Sequence, residues 1–201
     1  MLINRLLFPI VIVFLMLFPS SSFAQEEQME APSRNDFKFT LLSLGSGSTR
    51  ITYERAFSPL NSVELTLGFV GLGWDWMNDS DPLGLLVKLA YKWRLVPQKG
   101  AASWLAGFYV KPELVFAHFL YSRTKPESAP PDKCPETTIH VALLGELGYQ
   151  LVLDWFVFDI YSGLGPSIGT GNANNYFHSF MLFPKESFLA FTAGFRIGVA
   201  F

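Results

Sequence analysis

The chain has 201 residues, half of them hydrophobic and 16% aromatic, with twenty phenylalanines and only 16% charged residues. Fifteen Lys and Arg against 17 Asp and Glu leave a net charge of −2, which offers nucleic acid no basic surface. A lone cysteine, Cys134, excludes an internal disulfide framework and any multi-cysteine metal site.

Residues 1–24 read as a cleavable export signal. Asn4-Arg5 supply the positive start, Leu6 to Phe18 the apolar run, and Ser22-Phe23-Ala24 a small-x-small cleavage site before Gln25. The run is too short for a hydrocarbon core, which needs ~20 apolar residues. Residues 25–36 are polar and aperiodic, and read as a flexible lead-in.

From residue 37 onward the apolar residues recur every second position, the period of a strand with two unlike faces. The expected strands run from Phe37 to Leu44, where alternation blurs at Leu42, and from Arg50 to Phe57, with Gly45-Ser46-Gly47-Ser48 as the turn between them. Val63 to Phe69 follows the compact turn Ser58-Pro59-Leu60-Asn61. Leu85 to Arg94 alternates most cleanly, with Leu85, Val87, Leu89, Tyr91 and Trp93 on one face. Trp104 to Leu120 carries Pro112, which predicts a bulge or an unpaired position. Ile139 to Leu151, Phe156 to Tyr161 and Phe188 to Phe201 complete the set. The longer polar connections fall at 75–82, at 122–138 (which holds Cys134) and at 165–187.

Eight strands with short and long connections in alternation, apart from the short first GSGS loop, predict an all-β fold, an eight-stranded antiparallel up-and-down transmembrane β-barrel over residues 37–201. The charges within the strands fall on the face away from the large apolar residues. They are Lys38, Glu54, Glu64, Lys88, Lys92, Lys111, Glu113, Glu146, Asp159 and Arg196, equally divided in sign. Turned inward they pair and offset each other's desolvation; turned toward lipid, a Lys or Arg costs about 2–4 kcal/mol at the midplane. An interior of eight strands is just wide enough for side chains to fill, so these residues plug it. Trp74, Trp76, Trp93, Trp104 and Trp155 lie at expected strand ends, where indoles settle at a lipid headgroup boundary. The same alternation also suits a soluble lipocalin-like barrel with the faces exchanged.

The closing segment FTAGFRIGVAF, ending in Phe201, resembles the last strand of bacterial outer-membrane β-barrels. With the strand pattern it makes residues 37–201 similar to the OmpA membrane domain and OmpX type. That resemblance implies a Gram-negative outer membrane and periplasmic N- and C-termini. It implies contact with lipopolysaccharide and phospholipid, and delivery by the barrel assembly machinery through the C-terminal strand. It also implies a monomer without cofactor, with a structural or surface-interacting role carried by the external loops. A two-domain cell-wall tether is not expected. Lipid A deacylases, barrels of similar size, use a Ser/His/Glu triad at the outer rim, and the nearest candidates here are His178, Ser179 and Glu186. That family sets its His and Ser two apart on a strand, whereas His178 and Ser179 are adjacent in an expected loop; no catalytic residue is assigned, and a lipid A-modifying enzyme stays the alternative. His118 and His140 lie on different strands without ligand spacing. GTGNANN at 169–175 lacks the Lys-Ser/Thr and helix of a phosphate loop. Glu113 and Glu146 are expected to bridge to lumen Lys or Arg, and Cys134 to be an unpaired loop thiol.

Overall fold

The structure, a computed structural model, describes residues 32–75, 83–97, 103–124, 133–170 and 189–201. The export signal, residues 25–31 of the lead-in, Trp76, and the His178, Ser179 and Glu186 candidates lie outside the described residues.

Eight antiparallel strands form one closed up-and-down barrel, each bonded to its neighbour in sequence and the last to the first. They are β1 (Asn35–Thr40), β2 (Ser46–Ala56), β3 (Asn61–Asp75), β4 (Leu83–Pro97), β5 (Gly107–Thr124), β6 (Lys133–Leu153), β7 (Phe156–Gly169) and β8 (Leu189–Ala200). The end that carries the turns 57–60 and 154–155 is termed the foot, and the opposite end the rim. At the foot, Ser58 Oγ accepts from the backbone N–H of Leu60 and Asn61, at 3.2 and 3.1 Å, and shapes the β2–β3 turn. Asp154 takes a φ of 53° in the tight β6–β7 turn, a conformation its short polar side chain tolerates.

Alternation sets which way each side chain points. Leu65, Leu85, Leu89, Leu114, Leu143, Leu147, Ile160 and Leu164 are exposed on the outer wall, while Lys38, Glu54, Glu64, Lys92, Lys111 and Asp159 are buried inside. The contrast along β4 shows the pattern: Leu89 is 52% exposed and Lys92 0%. Toward the foot the wall becomes aromatic, with Phe37 stacked on Phe201 at 5.7 Å and Tyr91 edge-on to Trp93 at 4.8 Å. Trp155 and Phe156 continue this belt at 6.2 Å.

The expected polar loops are shorter than composition suggested. β5 and β6 stay paired to Thr124↔Lys133, so residues 122–124 and 133–138, Cys134 included, are strand rather than loop. Among the described residues β4 pairs with β5 up to Leu83↔Leu120 and β7 with β6 up to His140↔Gly169, while the β5–β6 ladder continues to Thr124↔Lys133. Pro112 behaves as expected on one side. The β4–β5 ladder has no pair between Ala90↔Glu113 and Trp93↔Val110, the interval in which proline brings no N–H. The bulge itself lies at Leu95, where the register shifts between Arg94 and Val96.

Three departures concern the termini of elements. β1 begins at Asn35 and Asp36 is buried, so the lead-in ends before residue 36. The GSGS stretch is not the turn; a helical turn, α1 (Leu41–Gly45), joins β1 to β2. Continued as a strand, Leu41-Leu42-Ser43-Leu44 would aim two leucines into a polar interior and a serine outward. The helical turn instead leaves Leu42 exposed and buries Ser43, whose hydroxyl donates to the Thr40 carbonyl at 2.6 Å. Finally, residues 103–106 fold under the foot rather than opening β5. Leu105 and Ala106 join Ala56, Val152, Val157 and Ala200 in an apolar cluster with Trp104 against it. Gly107, at φ 135°, makes the bend that an L side chain would oppose.

Candidate functional site

The buried interior is the candidate site, because it concentrates nearly all the ionisable groups of the described wall. Inward positions on all eight strands supply seven cations, Lys38, Arg50, Lys88, Lys92, Arg94, Lys111 and Arg196, and six carboxylates, Asp36, Glu54, Glu64, Glu113, Glu146 and Asp159. Isolated charges in such a place would carry a desolvation cost of several kcal/mol each, so the arrangement depends on pairing.

Lys38 stands at the centre. Its Nζ lies 2.5 Å from Glu54, 2.8 Å from Glu64, 3.3 Å from Asp36 and 3.7 Å from Asp159. Lys92 approaches the same two glutamates at 2.8 Å each and rests 4.0 Å over the Tyr109 ring. Glu64 is thereby the common acceptor of Lys38, Lys92, Lys111 at 2.6 Å and Arg196 at 3.4 Å. Gln150 ties the neutral part of the lattice, donating to Asp36 at 2.7 Å and accepting from Lys92 at 2.8 Å.

Toward the rim, Lys111 reaches Glu113 at 2.9 Å and Glu146 at 3.0 Å, while Lys88 meets Glu113 at 2.5 Å. Glu113 and Glu146 therefore share a lysine as expected. Toward the foot, Arg94 pairs with Glu54 and donates from Nε to the Leu105 carbonyl at 3.0 Å. That bond links the lattice to the apolar plug below it. The plug is held from outside by the residues just ahead of β1: Ser33 bridges Ser103, its carbonyl accepts from Trp104 N at 3.2 Å, and the Arg34 guanidinium sits 3.9 Å over the indole. Trp104 is thus a foot residue and not part of the outer belt.

Inward glycines make room for the two tyrosines. A Cβ on Gly148 would collide with the Tyr109 ring, and one on Gly194 would stand 2.9 Å from the Tyr161 hydroxyl. Tyr109 uses its position to donate to Asp159 at 2.6 Å, and Tyr161 carries Arg196 over its face at 4.3 Å.

Above the lattice Thr40, Arg50, Thr52, Thr66, Lys88, Glu113, Tyr161 and Arg196 line a narrow polar recess. Its space is divided so finely that no water-sized sphere fits within it. At the rim, Thr138 Oγ1 and His140 Nε2 are 3.0 Å apart, with the hydroxyl also against the Thr170 carbonyl. His118 faces outward, so the two histidines do not meet. Among the described residues no group of three or more His, Cys, Asp or Glu could hold a metal ion.

All ten charges expected to turn inward do so. Asp36 escaped the sequence reading because it sits at the end of a polar run, and Arg50 because it opens a strand beside the misread turn. The foot plug gave no signal at all, since Leu105 and Ala106 continue the alternation of β5 in sequence while leaving it in space. Comparison of the chain with protein-family models, with curated proteins and with solved structures found no match.

Proposed function

We propose that this chain is an integral outer-membrane β-barrel of a Gram-negative bacterium, exported by residues 1–24 and crossing the membrane with its eight strands. The observation that carries this reading is the direction of the two faces: apolar side chains wrap the outside of the whole wall while ion pairs fill the inside. From Leu83 to Leu95 the outward residues of β4 are Leu, Leu, Val, Leu, Tyr, Trp and Leu. Those twelve steps span about 40 Å of strand, which rises about 30 Å at the usual tilt, enough for an apolar band of ~25 Å. The aromatic belt at the foot fits the headgroup level.

In this reading the foot and both termini are periplasmic. The wall contacts lipopolysaccharide and phospholipid, and the assembly machinery receives the chain through β8. The lattice and foot plug leave no wide channel, so the role is structural or surface-interacting and belongs to the rim. The upper β5–β6 ladder, which runs past the described ends of β4 and β7, supports that placement. A soluble lipocalin-like barrel is the competing use of eight strands; it needs an apolar hollow, and the recess here is lined by charged and hydroxyl groups.

Refolding residues 25–201 with and without detergent or lipid tests the reading. The expected result is β-structure and heat-modifiable gel migration only with amphiphile, together with recovery of the expressed chain in the outer-membrane fraction. A chain that folds and stays monodisperse in plain buffer overturns it.

A further inference from the structure

The outer wall is apolar over most of its described surface, and Arg55 interrupts it at the foot. Arg55 is exposed on β2, on the same face as Ile51 and Tyr53, with Asn35 of β1 and Val63 of β3 as cross-strand partners. Its side chain makes no hydrogen bond or ion pair among the described residues. The carboxylates beside it in sequence and in the ladder, Glu54 and Asp36, are buried and engaged with Lys38 in the lattice. Asp154, an exposed acid at the foot, sits in the β6–β7 turn, three strands away round the ring.

The ground around Arg55 is fixed. Tyr53 donates to Asn35 Oδ1 at 2.9 Å, and Phe37 lies between Tyr53 at 5.1 Å and Phe201 at 5.7 Å. These contacts set an aromatic floor on the β1 side. On the β3 side, Leu65 and Leu67 follow Val63 up the wall, both exposed. The guanidinium therefore stands at the lower border of a continuous apolar surface. A lipid-facing Arg is tolerated near an interface and opposed in hydrocarbon, and its planar fork matches two oxygens of a phosphate. A second guanidinium, that of Arg34, is exposed just ahead of Asn35 and adds positive potential while it stacks on Trp104.

Resting on the membrane reading, in which the foot is periplasmic, the lipid beside Arg55 is phospholipid. We propose that Arg55 is the headgroup site of an anionic glycerophospholipid in that leaflet. The guanidinium holds its phosphate. One acyl chain rises over Tyr53, Phe37 and Ile51, the other over Leu65 and Leu67. A zwitterionic head is disfavoured, because its ammonium group would meet the like charges of Arg34 and Arg55.

The test uses the mature chain, residues 25–201, folded into phosphatidylcholine vesicles with trace photoreactive lipids. Both probes carry a diazirine near the top of one acyl chain; one has a phosphoglycerol head and the other a phosphocholine head. The phosphoglycerol probe should label residues 35–39 and 51–67 about tenfold above the rest of the wall near the foot, the factor expected of one charge-assisted contact. The phosphocholine probe should label the foot evenly. R55Q leaves the lattice and the seam untouched and should fold, seen by heat-modifiable migration, with its phosphoglycerol labelling lowered to the phosphocholine level. R55K, which keeps the charge and loses the fork, should retain part of the preference. If R55Q does not fold, R55K and the two probes on the unsubstituted chain decide. Equal labelling by the two probes, or a preference that survives R55Q in full, overturns the site while the embedded barrel stands. Displacement of the probe by soluble glycerol phosphate overturns a lipid as the occupant. Folding without amphiphile overturns the membrane reading instead.

Discussion

Gly198 and Gly148 show how single absent side chains hold this interior together. A Cβ on Gly198 would run into the Phe37 carbonyl and come within 2.9 Å of Lys38 Cα, across the seam that closes the ring. G198V is therefore expected to prevent closure, seen as gel migration that no longer changes on heating. A Cβ on Gly148 would meet the Tyr109 ring and stand 2.7 Å from the Ile160 carbonyl, so G148V should displace Tyr109 from Asp159, strain the β6–β7 ladder and lose at least about 1–3 kcal/mol in urea unfolding. The charges are more demanding. Glu64 is met by four cations, and E64A leaves them under-compensated in a buried place. A loss of about 3–5 kcal/mol is expected by the same measurement, as for other broken buried pairs. At this scale the sequence was readable wherever a residue sat inside a clean alternation, as Lys88 and Lys92 do. It was silent where composition masked the phase, as at Asp36, and could not show which acid meets which base, because partners such as Glu64 and Arg196 lie on strands far apart in sequence.

Among the elements, α1 and the foot segment differ most from a plain run of strands. Both are places where a local pattern conflicts with its neighbours: LLSL is out of phase with β1, and Gly107 lets residues 103–106 turn inward although Ala106 and Phe108 look like one face of a strand. The upper β5–β6 ribbon was hidden for another reason. Its Pro, Lys and Glu residues read as loop, and only the cross-strand ladder identifies it. The foot plug and the charge lattice are two barriers in series, which leads to a distinct expectation. L105G alone should leave planar lipid bilayers silent, because the lattice still fills the shaft; L105G combined with E64A should give discrete conductance steps. Conductance from L105G alone would show that the lattice does not block.

For the whole molecule the deciding quantity is the cost of a charge on the outer wall as a function of height. Leu89 lies midway along β4 and Leu95 near the foot, both outward. In lipid vesicles L89R should destabilise by about 2–4 kcal/mol and L95R by at most about 1, following the depth dependence known for lipid-facing sites. Equal and small costs at both positions would mean that water, and not hydrocarbon, surrounds the wall. The architecture as such was legible because one period of two runs through nearly the whole chain. Alternation is the same whichever side is out, so the direction of the faces had to be read from the Trp positions, the Phe201 ending and the export signal, and the buried charges follow it.

A tube slit along part of its length keeps its resistance to bending but yields readily in torsion. The foot of this molecule is a hoop, whereas above Thr40 it is a clip, with β2 and β8 as its jaws. Four places round the ring from β1 stands β5, whose ladder to β6 runs eighteen pairs and forms the stiff back of the clip. Force applied at the rim will act first on the jaws, where Arg50 and Arg196 sit, and only then on the hoop below.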